Sequence, residues 1–252
     1  MTSDMIKKQL NHRTIREFKD KEVDPKLYQS LIDVAQRTPT SNGMQQASII
    51  RVTDPKIKEK LAEICNQEYV VRAPILLIFL VDNYRNHQIA LVQGLDSENS
   101  GDMDRFFQGF TDGVLLAQNI VNAAESMDLG AVYFGSILNN AGAVCELLEL
   151  PEYTFPVVGL GIGYPNQDPQ LKPRMDMRLR LFENSYEKKD NYLEEIKDYD
   201  EEMRTYYDLR QANKPMDKFS LQVLDKLRNP IPRRQVLVND IVEQGFDLKI
   251  KE

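Results

Sequence analysis

Pro74 is followed by Ile75-Leu76-Leu77-Ile78-Phe79-Leu80-Val81, the longest uninterrupted apolar run of the chain. That is strand length, far short of the roughly 18 residues a membrane span needs. A short run that is apolar at every position reads as a strand buried on both faces, so the rest of the chain must cover it. Working outward, Asp24-Pro25 and Asp54-Pro55 each open a helix. Asp caps the first turn with its carboxylate, and Pro tolerates the first helical position. Leu27, Leu31, Val34 and Ala35 recur at helical spacing after the first, and Ile57, Leu61 and Ile64 after the second. Residues 48–53 read as a strand between them.

Downstream, residues 83–105 are polar and poorly patterned and read as an excursion of the chain. From Phe110 to Met127 the chain is apolar nearly all round, as expected of a central helix. Ala131–Phe134 reads as a short strand, Asn140 as the cap of a helix carrying Val144, Leu147 and Leu148, and Phe155–Gly163 as another strand. After Pro165 the character changes to a basic loop, a charged helix predicted over 190–210, a helix near 217–228 and a strand near 235–242. Leu193, Ile196, Tyr199, Met203 and Tyr206 form a seam along the charged helix with few local partners, which predicts burial against a second copy.

Composition narrows the function. The net charge is −7, whereas nucleic-acid binders usually carry a basic footprint. The N-terminus lacks the apolar run of a signal peptide, which predicts a cytoplasmic chain. Cys65 and Cys145 form no CxxC pair, and His12 and His87 are too few to build a conventional zinc site. No metal and no membrane partner are expected. There is no GxxxxGK[ST] phosphate loop. Gly159-Leu160-Gly161-Ile162-Gly163 lacks the GxGxxG spacing and runs into Tyr164-Pro165, which points to tight strand packing and away from a dinucleotide fold.

Two basic segments stand out. His12-Arg13-Thr14-Ile15-Arg16 places two guanidiniums three residues apart on one side of a helical turn, each able to fork onto a phosphate. Lys172-Pro173-Arg174 holds two cations apart across a rigid Pro. Either could also be ordinary surface.

Together with Arg-Thr-Pro-Thr-Ser-Asn-Gly-Met-Gln (37–45), Gln67, the stretch 117–130, Val-Tyr-Phe-Gly-Ser (132–136), the stretch 150–160, Gly-Tyr-Pro (163–165) and Leu-Lys-Pro-Arg (171–174), these segments form an ordered pattern over nearly the whole chain. The pattern resembles the FMN-dependent nitroreductase superfamily, above all its branch of major oxygen-insensitive NAD(P)H nitroreductases and NAD(P)H-flavin oxidoreductases. The resemblance implies an α+β fold, with a mixed central sheet flanked by helices, in an intertwined homodimer. Residues 1–164 would be the FMN-binding core. Residues 165–252 would complete the same domain and wrap the partner.

It also implies the site. His12, Arg13, Thr14 and Arg16 would bind the phosphate, ribityl chain and ring edge of FMN, and Thr40 and Ser41 would come from the other subunit. Gln67 would bond the pyrimidine side, while Tyr133, Gly135 and Ser136 would line the ring. Lys172 and Arg174 would complete the phosphate and ring-edge contacts. NADPH or NADH would be the reductant, met by Arg210, Lys214 and, more weakly, Arg234. The implied reaction is ping-pong hydride transfer through flavin N5 to small acceptors: nitroaromatics, quinones or free flavin. It needs no catalytic side chain, because the cofactor carries the chemistry and the protein supplies binding, orientation and electrostatics.

The chain departs from the pattern at three positions. Many relatives read Gly-Gly where this one has Gly135-Ser136, and they then carry Arg where this one has Leu138, which predicts a less cationic rim. Pro215 replaces a second C-terminal Arg, which leaves NADPH preference over NADH open. A flavin-binding or sequestering protein with little turnover is the alternative reading. A nucleic-acid or regulatory module built on the charged helix is disfavoured by net charge −7 and that helix's balance of acids and bases.

Overall fold

The computed structural model describes residues 3–209 and 214–247. Four strands, β1 (Ala47–Val52), β2 (Ile75–Asp82), β3 (Gly130–Phe134) and β4 (Thr154–Gly163), make one sheet in the order β1-β2-β4-β3. Every strand pair in it is antiparallel, with Ala47 opposite Val81, Ile75 opposite Ile162 and Gly130 opposite Gly163. A parallel bridge joins Thr14 to Ala131 at its β3 edge. As its composition predicts, β2 is buried from Ile75 through Val81.

Pro156 sits in the inner strand β4, where a missing N–H would normally break a ladder. The register slips there, between Phe79 and Leu80, and β3 pairs only with residues 159–163. The proline thus occupies the irregular part of the strand, where proline is tolerated.

The described residues form ten α-helices: α1 (Asp4–Leu10), α2 (Pro25–Gln36), α3 (Pro55–Cys65), α4 (Tyr84–Val92), α5 (Met103–Ser126), α6 (Ala141–Leu147), α7 (Tyr192–Glu195), α8 (Lys197–Met203), α9 (Phe219–Arg228) and α10 (Leu237–Glu243). Asp24 and Asp54 cap α2 and α3 as read from the sequence, accepting from the Lys26 and Lys56 N–H groups. Asn140 caps α6, accepting from the Ala143 N–H. The 24-residue α5 buries Phe106, Gly109, Asp112, Gly113, Ala117, Ile120, Val121 and Ala124. Its opposite side leaves Phe107, Val114 and Leu115 exposed, so it is amphipathic and not apolar all round.

The glycines of β4 are packing devices. A methyl at Gly161 would fall 3.0 Å from both Ala73 and Phe134, and one at Gly163 would fall 2.7 Å from the Pro74 ring. The sheet can lie close to its covering layer only if these positions lack side chains.

Three expectations are corrected. Residues 84–92 form helix α4 within the supposed excursion. It buries no residue, so it carries no apolar stripe to betray it. Residues 237–243 are helical, not a strand. Val238, Ile241 and Val242 are residue types that favour strands, but this is a weak preference that packing overrides; the helix buries Asp240 and Ile241. The predicted helix over 190–210 is two short ones broken at Ile196.

The chain divides into two compact units, residues 1–167 with 231–252, and residues 168–230. In the second, the Asp200 carboxylate accepts from the Ser220 N–H and hydroxyl at 2.9 and 2.5 Å, anchoring the start of α9, and Tyr199 meets Phe219 with ring centres 5.3 Å apart. Ile196, Met203 and Tyr206 of the supposed unpartnered seam are buried within the chain itself. The exposed apolar stripe lies instead on α9, at Leu221, Val223, Leu224 and Leu227. Among the described residues no helix is long and apolar enough to cross a membrane.

Candidate cofactor site

The segment 12–16 is extended and is not a helical turn, so three-residue spacing no longer sets Arg13 and Arg16 on one side. The Ile15 N–H donates to the Ala131 carbonyl at 2.9 Å beside the Thr14–Ala131 bridge, laying the segment along β3. Ile15 fills the space a side chain at Gly130 would need; a methyl there would fall 2.6 Å from it. Gln167 clamps the same segment, donating to the Thr14 carbonyl and accepting from the Glu17 N–H.

His12 is half-buried and shares a 2.5 Å hydrogen bond between its Nδ1 and Glu125 Oε1 on α5. Glu125 also acts on Tyr133: burial first, then the Glu125 charge, pushes the Tyr133 phenol well above its ordinary value. The phenol therefore stays neutral and donates to Gln118 Oε1 at 3.2 Å. Tyr133 is nonetheless 38% exposed near the end of β3. Beside it, a methyl at Gly135 would meet nothing within 4 Å. Arg13 donates weakly to the Asn11 carbonyl at 3.4 Å, while its buried Nε has no hydrogen-bond partner. Arg16 is half-buried.

Gln67 and Ser136 meet directly, the Ser136 hydroxyl donating to Gln67 Oε1 at 2.8 Å. Leu138 is buried at 8% exposure. It belongs to the core and not to a pocket rim, so its difference from an Arg says little about rim charge.

Thr40 and Ser41 lie on a separate loop. Asp112, 1% exposed, accepts from the Ser41 N–H at 2.8 Å and the Gln46 N–H at 3.2 Å. The loop needs that anchor because Asn42, Gly43 and Gln45 all have left-handed backbone, with φ of 52°, 70° and 52°. Asp112 and Glu125 are far apart on α5, roughly 20 Å at 1.5 Å per residue. One copy of the chain therefore brings His12, Tyr133 and their neighbours together but holds Thr40 and Ser41 at a distance.

In the second unit, the Lys172 ammonium lies 5.9 Å from the centre of the Tyr206 ring, and Arg174 donates to the carbonyls of Lys172 and Pro173. Lys214 is exposed. Arg210 lies outside the described residues. Arg234 is exposed, and its neighbour Arg233 makes the buried contact, an ion pair at 2.8 Å with Asp240. Sequence reasoning passed over Glu125, Gln118, Gln167, Asp112 and Arg233. All but Arg233, whose partner Asp240 is seven residues on, act through partners distant in the chain, and none has a local motif to mark it.

Comparison with known proteins gives the family. Residues 10–164 match the model of the nitroreductase family, and residues 172–249 that of the nitroreductase family C-terminal domain. The chain is 36% identical over 246 residues to an NADPH-dependent oxidoreductase of Staphylococcus saprophyticus, covering 94% of this chain and 95% of that one. Nitroreductase A from Vibrio parahaemolyticus is similar in structure at a TM-score of 0.87, with 32% identity, over 99% of this chain and 100% of that one. The NADPH:FMN oxidoreductase of Vibrio harveyi, solved with NAD+, superposes at 0.86 with 32% identity, over 98% and 100%. With its core and its C-terminal part both matched, the chain belongs to the nitroreductase family.

Proposed function

We propose that this chain is an FMN-dependent NAD(P)H oxidoreductase that works as a homodimer and reduces nitroaromatics, quinones or free flavins in a ping-pong cycle. The observation that carries the reading is the 12–16 segment laid along β3 by the Thr14–Ala131 bridge. It sets a segment carrying Arg13 and Arg16 against the strand that runs on to Tyr133 and Phe134, in a chain of this family. The residues fit FMN. A buried guanidinium Nε lacks a partner at Arg13, and the absent side chain of Gly135 leaves open space for a flat ring.

When bound, FMN supplies two-electron transfer between the nicotinamide and the acceptor. The protein's part is to bind and orient. Arg13, Thr14 and Arg16 hold the phosphate and ring edge. Glu125 fixes the His12 ring, and Gln67 meets the pyrimidine side. Cations and donors there stabilise negative charge on the reduced cofactor and so set its potential.

Two features support a dimer: the distance separating Thr40 and Ser41 from the His12–Tyr133 group along α5, and the exposed apolar residues of α5 and α9. A second copy would supply its own Thr40 and Ser41 to the site. Arg210 and Lys214 meet the dinucleotide, and Arg234, on the surface, contributes less. With Pro215 where a second Arg would fork onto a 2′-phosphate, NADH competes appreciably with NADPH.

Flavin binding without turnover drew on an altered rim at Ser136 and Leu138, and the burial of Leu138 removes half of that ground. Steady-state rates with NADPH and NADH against a panel of nitroaromatic, quinone and flavin acceptors test the proposal. Parallel double-reciprocal lines support it. An FMN-loaded protein that turns over no acceptor sinks it.

A further inference from the structure

Ser136 stands where the resemblance leads one to expect a second glycine, and its hydroxyl is engaged. It donates to Gln67 Oε1 at 2.8 Å. An amide has one acceptor end and one donor end, and which end faces a site is set by the bonds the other end makes. With Oε1 turned to Ser136, the Nε2 donor end is the one left for another partner. Asn66, in left-handed backbone at φ 51°, turns the chain out of α3 just before Gln67, and the Gln67 N–H is tied back to the Ala62 carbonyl at 3.0 Å. The backbone is therefore held, and the freedom left to Gln67 is in its side chain.

We propose that Ser136 is a positioning residue that locks the Gln67 amide with its N–H groups toward the flavin, making Gln67 a donor to a carbonyl-type acceptor on the pyrimidine ring. This rests on the FMN reading above. A donor aimed at an acceptor that gains negative charge on reduction binds reduced FMN more tightly than oxidised FMN, which raises the midpoint potential. With glycine at this position nothing would hold the amide, and either end could face the ring.

The test is the FMN-loaded dimer carrying Ser136→Ala, Ser136→Gly or Ser136→Thr, with oxidised-FMN dissociation constants and midpoint potentials measured alongside thermal unfolding. Loss of one neutral hydrogen bond is worth about 0.5–1.5 kcal/mol. Reduced FMN should therefore bind about 3- to 10-fold more weakly relative to oxidised FMN in the Ala and Gly variants. A tenfold change lowers a two-electron potential by about 30 mV. Ser136→Thr keeps the hydroxyl and should stay within twofold of the parent. In a Gln67→Ala background, Ser136→Ala should add nothing. A parent-like potential in folded Ser136→Ala and Ser136→Gly would overturn the proposal, as would a Ser136→Ala effect that persists without Gln67. If the parent protein itself cannot be loaded with FMN, the functional reading fails first.

Discussion

Replacing Asp112 removes one side chain that satisfies two backbone donors. Its carboxylate is 1% exposed and accepts from Ser41 at 2.8 Å and Gln46 at 3.2 Å. Hydrogen bonds to a charged group contribute about 1.5–3 kcal/mol each. Deleting the carboxylate also relieves the cost of burying it, which offsets part of that loss. The Ser41 N–H is half-exposed and can turn to water, whereas Gln46 is fully buried and its N–H would be left unpaired. The net cost of Asp112→Ala is therefore about 2–4 kcal/mol, or roughly 5–15 °C in Tm for a chain of this size. Asp112→Asn keeps an acceptor for Ser41 but loses one for Gln46, so about 1–2 kcal/mol is expected. Urea unfolding at fixed protein and FMN concentration reads this out, with the midpoint moving and the slope unchanged. If both variants stay within about 0.5 kcal/mol of the parent, the loop 40–46 is not held by this carboxylate and the argument for its geometry fails.

The remaining expectations concern packing, charge and pH. Gly163→Ala should cost about 1–3 kcal/mol, because its methyl would fall 2.7 Å from Pro74 and 2.9 Å from Phe18. Gly135→Ala opens onto free space and should leave thermal stability nearly unchanged while weakening FMN binding in a fluorescence titration. Arg233→Ala strands the buried Asp240 carboxylate and should cost about 2–3 kcal/mol, discounted from a fully buried pair because Arg233 is half-exposed. Asp240→Asn, which keeps an acceptor, should cost less in the same thermal melts. Burial first, then the Asp240 charge, pushes the Cys145 thiol from an ordinary 9.0 up to about 12. Between those values the unfolded chain loses a proton the folded one keeps, so stability falls as pH rises from about 9 toward 12. Tyr133, raised by burial and then Glu125, acts in the same direction. Urea midpoints at pH 8 and pH 10 should drop less in Cys145→Ala than in the parent.

The parts of this molecule legible in sequence are those whose physics is local. The continuous run 75–81 announced a strand covered on both faces, and Asp-Pro pairs marked two helix starts because cap and ring both act within one turn. The glycines of 159–163 were read as strand packing, and Pro74, Ala73 and Phe134 crowd those positions. Long-range bonds were illegible. Glu125 is an ordinary acid on a helix until His12 reaches it from 113 residues away. The 12–16 segment was pictured as a helical turn because nothing in its spacing reveals the bridge to Ala131. Helix α4 lacked a buried stripe, and α10 buries only Ile241 of its three β-branched residues, too few to mark a helical face. The seam at 190–210 looked orphaned because its partners lie elsewhere in the chain. Exposure on α9 had to be seen in three dimensions.

The central claim is that this chain carries FMN and passes electrons to it from a reduced nicotinamide. Anaerobic mixing of the FMN-loaded protein with NADPH, and separately with NADH, tests it most directly. Rapid loss of the yellow absorbance, restored when a quinone or nitroaromatic is admitted, is the predicted result. A protein that takes up no FMN, or that stays yellow with both nicotinamides, would contradict it.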